Sequence, residues 1–178
     1  TDEDLTHRLL YVEASRGCPF KCEFCLSSLD KTSVPFEIVL FLEQMEILYN
    51  RGARNFKFID RTFNLNINTT MQIMQFFLDR MTDDLYLHIH ADLIFGLPGE
   101  TFDSFKDSFN QLYHCRPHEI QMGILKRLKG SPIIRHTEAF DLRFNPLPPF
   151  NILSTDRVSF ATMQRINRFA RYWDMIGN

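Results

Sequence analysis

Leu9-Leu10-Tyr11-Val12-Glu13-Ala14-Ser15-Arg16-Gly17-Cys18-Pro19-Phe20-Lys21-Cys22-Glu23-Phe24-Cys25 runs from a β-prone stretch into a segment with three of the chain's four cysteines. Leu9 to Ala14 is short, apolar and rich in strand formers, and Ser15-Arg16-Gly17 is turn-forming, so the stretch predicts a strand feeding a loop. Downstream, Pro35 suits the first turn of a helix. The apolar set Ile38, Phe41, Leu42, Met45, Leu48 and Tyr49 follows at helical spacing as far as Gly52, which supplies a C-cap. Asn55 to Asp60 reads as a second strand. Asn68 is placed to cap a helix whose buried face is Met71, Met74, Phe77, Leu78 and Met81.

Leu85 to Leu97 is thirteen residues of strand-like sequence. At about 3.3 Å per residue it would span about 40 Å, far beyond an ordinary strand. It therefore reads as two strands joined end to end at His90-Ala91. Thr101 caps a helix carrying Phe102, Phe105, Phe109 and Leu112, Glu119 to Leu125 is a further strand, and Ser131-Pro132 starts a short helix. Asn145 to Pro149 is irregular. Ser154 or Thr155 caps a last amphipathic helix with Phe160, Met163, Ile166, Phe169 and Trp173 inward. Strands alternating with helices imply parallel strands in a barrel or open α/β sheet.

The 178 residues are 44% apolar and carry a formal charge of -2, so no global basic field recruits nucleic acid or anionic lipid. The longest apolar stretch, Phe36 to Tyr49, is interrupted by Glu37, Glu43 and Glu46 and cannot serve as a membrane span. Thr1 to Arg8 lacks the features of a secretory signal, which predicts a cytoplasmic protein, and without an initiator Met the chain reads as a piece of a longer one. A barrel of β/α units of roughly 30 residues would fit only about six units into this length.

Cys18, Cys22 and Cys25 form C-x-x-x-C-x-x-C within eight residues. Three thiols cannot all pair in disulfides, and nothing suggests an oxidising compartment. A redox C-x-x-C of Cys22 and Cys25 leaves Cys18 unexplained. Structural zinc wants four closed ligands, and the remaining thiol, Cys115, lies ninety residues beyond Cys25. An iron-sulfur cluster accepts three thiolates and leaves one iron open. The pattern favours that cluster over zinc, with structural thiols as the bland alternative.

The run Arg16-Gly17-Cys18-Pro19-Phe20-Lys21-Cys22-Glu23-Phe24-Cys25 resembles the cluster loop of radical S-adenosylmethionine enzymes. The resemblance implies a [4Fe-4S] cluster on Cys18, Cys22 and Cys25, with S-adenosylmethionine chelating the fourth iron and Phe24 near its adenine. Asp92-Leu93-Ile94-Phe95-Gly96-Leu97-Pro98-Gly99-Glu100-Thr101 resembles the late barrel strand of the same superfamily, where Ile94 and Gly96 match the adenine-bordering pattern and the acidic residue, Glu100, falls one place late. The superfamily's Gly-Gly-Glu is replaced by Asp60-Arg61-Thr62-Phe63-Asn64, which is similar to members with an upstream cobalamin-binding domain. Asp60 could then accept from the methionine ammonium and Arg61 pair with its carboxylate. The close, Arg168 to Asn178, is similar to that group too. The resemblance also implies an electron donor such as flavodoxin or ferredoxin, a substrate that the sequence does not identify, and any cobalamin bound by a domain absent from this chain. No Asp-x-His-x-x-Gly signature is present.

Other constellations compete. His88, His90 and Asp92 alternate along a strand and would share one face, as in barrel metal hydrolases. A zinc-stabilised binding module is a second alternative. Lys126, Arg127, Lys129, Arg135 and His136 gather after the last predicted strand, where they could meet an anion or simply be solvated. Arg157, Arg165, Arg168 and Arg171 read as a solvent face, and Cys115 as an incidental thiol. The resulting expectation is α/β: a partial (β/α) TIM-like barrel over residues 1–150, lacking central β/α units near His90-Ala91, with a C-terminal amphipathic helix in 151–178.

Overall fold

The computed structural model describes residues 5–29, 32–80 and 89–178. The predicted strand start Leu85 to His88, and Met81 of the predicted helix face, lie outside them. The described residues of Thr1–Lys21 and Ser27–Leu87 form one compact unit, and those of Cys22–Leu26 and His88–Asn178 form a second.

In the first unit, β1 (Leu9–Val12) pairs in parallel with β4 (Asn55–Phe58), and β2 (Ser15–Gly17) pairs antiparallel with β3 (Ser33–Pro35). Pro35 thus ends a strand, and the helix α1 (Ile38–Asn50) starts at Glu37, whose carboxylate accepts from the Val39 and Leu40 amides. All six apolar residues predicted for α1 face the core, with Phe41 and Met45 buried. The next helix, α2 (Ile67–Leu78), is capped by Asn66 and not by Asn68. Its buried face is Thr70, Ile73, Phe76 and Phe77; Met71 and Leu78, expected inside, are more than half exposed. Aromatic rings fill the space between strands and helices: Phe58 meets Phe63 at 4.7 Å between centroids and Phe77 at 5.9 Å.

In the second unit, β5 (His90–Phe95) pairs in parallel with β6 (Glu119–Ile124) over its whole length. The helix α3 (Phe102–His114) lies between them in sequence. Thr101 caps it in a reciprocal capping box with Ser104. A 3-10 turn (Pro132–His136) and an antiparallel pair of β7 (Arg143–Phe144) with β8 (Ile152–Ser154) precede the helix α4 (Phe160–Tyr172). Ser159 caps α4. Ser154 is still in β8, and the Thr155 hydroxyl accepts from Arg157 and Val158 in the intervening turn. Phe95, Leu125, Ile133, Ile152, Val158 and Met163 make the core, whereas Phe160, expected inward, is 55% exposed.

The expected partial (β/α) TIM-like barrel is not formed. Among the described residues every strand pairs with one partner, giving four sheets of two strands. A barrel closes only when each strand is paired on both sides. At the expected junction, His90 and Ala91 both belong to β5 and lie in register with Glu119 and Ile120 of β6.

Candidate functional site

The cysteine loop leaves the C-terminal end of β1, and the segment Asp60 to Asn64 leaves the same end of its parallel neighbour β4. Their meeting is fixed by Asp60. Its carboxylate accepts from the Ala14 amide at 3.0 and 3.1 Å, the Ser15 amide at 2.6 Å and the Ser15 hydroxyl at 2.7 Å. One residue thereby satisfies two backbone donors where the β1 ladder ends. The chain then passes through Gly17, which has φ 86°, and a Cβ there would stand 2.0 Å from the Thr32 oxygen. Only glycine fits where the two sides of the loop approach so closely. The Cys18 sulfur lies 3.3 Å from the Thr62 hydroxyl. Phe63 is seated on Phe58. Arg61 is exposed and makes no hydrogen bond or ion pair among the described residues.

In the second unit Cys22 and Cys25 bracket a tight turn, with the Cys25 amide donating to the Cys22 carbonyl at 3.0 Å. Phe24 packs against the core. The Ile133 amide donates to the Glu23 carbonyl at 2.9 Å, and the Glu23 carboxylate pairs with Arg135 through one oxygen and His136 through the other. Burial pushes the Glu23 carboxyl up, but hydrogen bonds and charge from Arg135 and His136 outweigh it and hold it below the ordinary value. Arg135 and His136, expected to meet an anion or be solvated, meet the Glu23 carboxylate; nothing local connects positions more than a hundred residues apart.

The Gly96 to Glu100 turn closes on itself. Glu100 accepts from the Gly96 amide at 2.7 Å and the Leu97 amide at 3.2 Å. Burial nonetheless raises its pKa above the ordinary value, against the effect of those two amides. Gly96 has φ 95°, and a Cβ there would meet Ile152 at 2.6 Å. Ile94 is half-buried in β5 beside the same core. Cys18, Asp60 and Arg61 therefore belong to the first unit, and Phe24, Ile94, Gly96 and Glu100 to the second with Cys22 and Cys25.

His88 lies outside the described residues. His90 begins β5, at the end opposite the Gly96 turn, with its ring nitrogens 3.0 Å from Asp92 and 3.3 Å from Glu119. Burial alone would lower its pKa; the two carboxylates raise it. The ring is thus committed to carboxylates on both sides, the surroundings of an imidazolium and not of a neutral metal ligand.

None of the described cysteines is in a disulfide, and Cys22 is exposed. Among the described residues no three His, Cys, Asp or Glu side chains converge as a preformed metal site. The donor set itself, three soft thiols within eight residues, fits an iron-sulfur cluster. No helix of the described residues is long and apolar enough to cross a membrane.

No family model matches the sequence. Part of the chain is similar to a protein of Pyrococcus horikoshii named uncharacterized methyltransferase PH0819, 40% identical over 75 residues. The match covers 38% of this chain and 16% of that protein. The similarity is thus to a stretch of a much longer protein that carries an enzyme's name.

Proposed function

We propose that the chain carries the cluster-binding part of a radical S-adenosylmethionine enzyme, with Cys18, Cys22 and Cys25 as thiolate ligands of a [4Fe-4S] cluster. One observation carries this reading: C-x-x-x-C-x-x-C lies in the segment that leaves the C-terminal end of the parallel strand β1, with five residues between and directly after the short antiparallel β2, at the end of such sheets where ligands gather. Three thiolates leave one iron open for a cofactor.

Cys18, Cys22 and Cys25 would hold the cluster, which when bound would supply the single electron for reductive cleavage of S-adenosylmethionine. The residues of this chain hold and shield. Asp60 fixes the entry of the cysteine loop. Phe24 keeps an apolar wall beside Cys25. Arg61, exposed and unengaged among the described residues, is available to a cofactor carboxylate. Glu100 shapes the turn after β5 that the resemblance assigns to the adenine. The name of the partial relative, a methyltransferase, supports methyl transfer as the net reaction; the methyl would then come from a second S-adenosylmethionine, because the one cleaved to the radical leaves its own methyl on methionine. Cobalamin enters only through the resemblance, and no step here depends on it.

Anaerobic reconstitution with iron and sulfide, reduction with dithionite and addition of S-adenosylmethionine should yield 5'-deoxyadenosine. C18A, C22A and C25A should yield none. Iron-loaded wild type that leaves the cofactor intact, or product from the variants at the wild-type level, would refute the proposal.

A further inference from the structure

The two residues between Cys22 and Cys25 are both fastened to the second unit, by different means. Phe24 is held by packing against the core that includes Ile133. Glu23 is held by its backbone carbonyl, which accepts from Ile133, and by both carboxylate oxygens, one on Arg135 and the other on His136. Its partners sit on the 3-10 turn Pro132–His136, which is itself anchored: Ile133 is 2% exposed, and Ser131, just before the turn, is buried with its hydroxyl donating to the Leu128 carbonyl at 2.7 Å. Using both oxygens fixes the rotation of the carboxylate as well as its place. The contact spans more than a hundred residues of sequence, so it ties a turn that is already closed by its own Cys25–Cys22 hydrogen bond to a distant element anchored by the buried Ile133.

Partly exposed ion pairs of this kind add little to overall stability. What the Glu23 contact controls is local: the conformation of a four-residue turn bearing two thiols. Groups that orient metal ligands in this way set how tightly the metal is kept. We infer that Glu23, clamped by Arg135 and His136, is a positioning residue that holds Cys22 and Cys25 in the arrangement needed to share one metal centre. The inference rests on the cluster reading above.

The test uses the full chain, reconstituted anaerobically with iron and sulfide, as wild type, E23Q and R135Q. Cluster loss to a chelator is followed by bleaching near 400 nm, the reduced cluster by electron paramagnetic resonance, and the metal-free proteins by thermal unfolding. Both variants should unfold with the wild type, lose iron about 10-fold faster or more, and show an altered resonance spectrum. Loss at the wild-type rate, or faster loss that only parallels a lower unfolding temperature, would overturn the positioning role while leaving the cluster reading intact. A wild type that takes up no iron and sulfide would overturn both.

Discussion

At Asp60 a single carboxylate does what would otherwise need two separate backbone partners, since the Ala14 and Ser15 amides both donate to it. Replacing it with alanine strands those donors at the head of the cysteine loop, and D60A should lose about 1–3 kcal/mol of stability in denaturant titration. D60N, which keeps an acceptor, should lose less. His90 gives a pH signature. Its folded pKa is raised, so its contribution is fully present below the unfolded value of about 6.5 and fades as pH rises through the higher folded value. Unfolding temperature measured from about pH 5.5 to 8.5 should therefore decline more steeply in wild type than in H90Q; identical slopes would remove His90 from the account. The cysteines and the Thr101 cap were legible in the sequence because each is a local pattern. Asp60 was noticed for its place in a motif, and its bonds to Ala14 and Ser15, some 45 positions away, were not readable from it.

Helix existence was legible from apolar spacing, but which face lies inward depended on where the helix starts. In α1 the spacing alone picked out the buried face. In α2 the cap was expected at Asn68, yet Asn66 accepts from the Asn68 and Thr69 amides at 3.0 and 3.2 Å. The inward face is centred on Ile73 and Phe77, and two methionine and leucine positions that looked internal face water. The two assignments make different demands on mutants. I73A should cost about 2–5 kcal/mol by removing a fully buried side chain, while M71A should stay within about 0.5 kcal/mol. Equal costs, measured by urea unfolding, would restore the other face. The β2–β3 pair that flanks the cysteine loop escaped notice because three-residue strands carry almost no periodicity.

Across the molecule, the alternation of strands and helices correctly indicated parallel pairing, seen in β1–β4 and β5–β6, and then overreached to a barrel. Alternation fixes the direction of neighbouring strands; closure depends on how many strands pair on both sides, which the four two-stranded sheets of the described residues do not provide. The long run ending at Leu97 suggests a junction at His90-Ala91; its described part forms β5, which pairs with β6 from His90 to Phe95. What survives at this scale is independent of closure: three thiols in the segment that leaves the C-terminal end of the parallel strand β1 by way of the short β2. The most direct test is the metal content of the anaerobically reconstituted chain, read as iron, acid-labile sulfide and absorbance near 400 nm. Wild type should hold about four iron and four sulfide, and C18A/C22A/C25A neither. Stoichiometric zinc without iron or sulfide in wild type, or an intact cluster in the triple variant, would contradict the account.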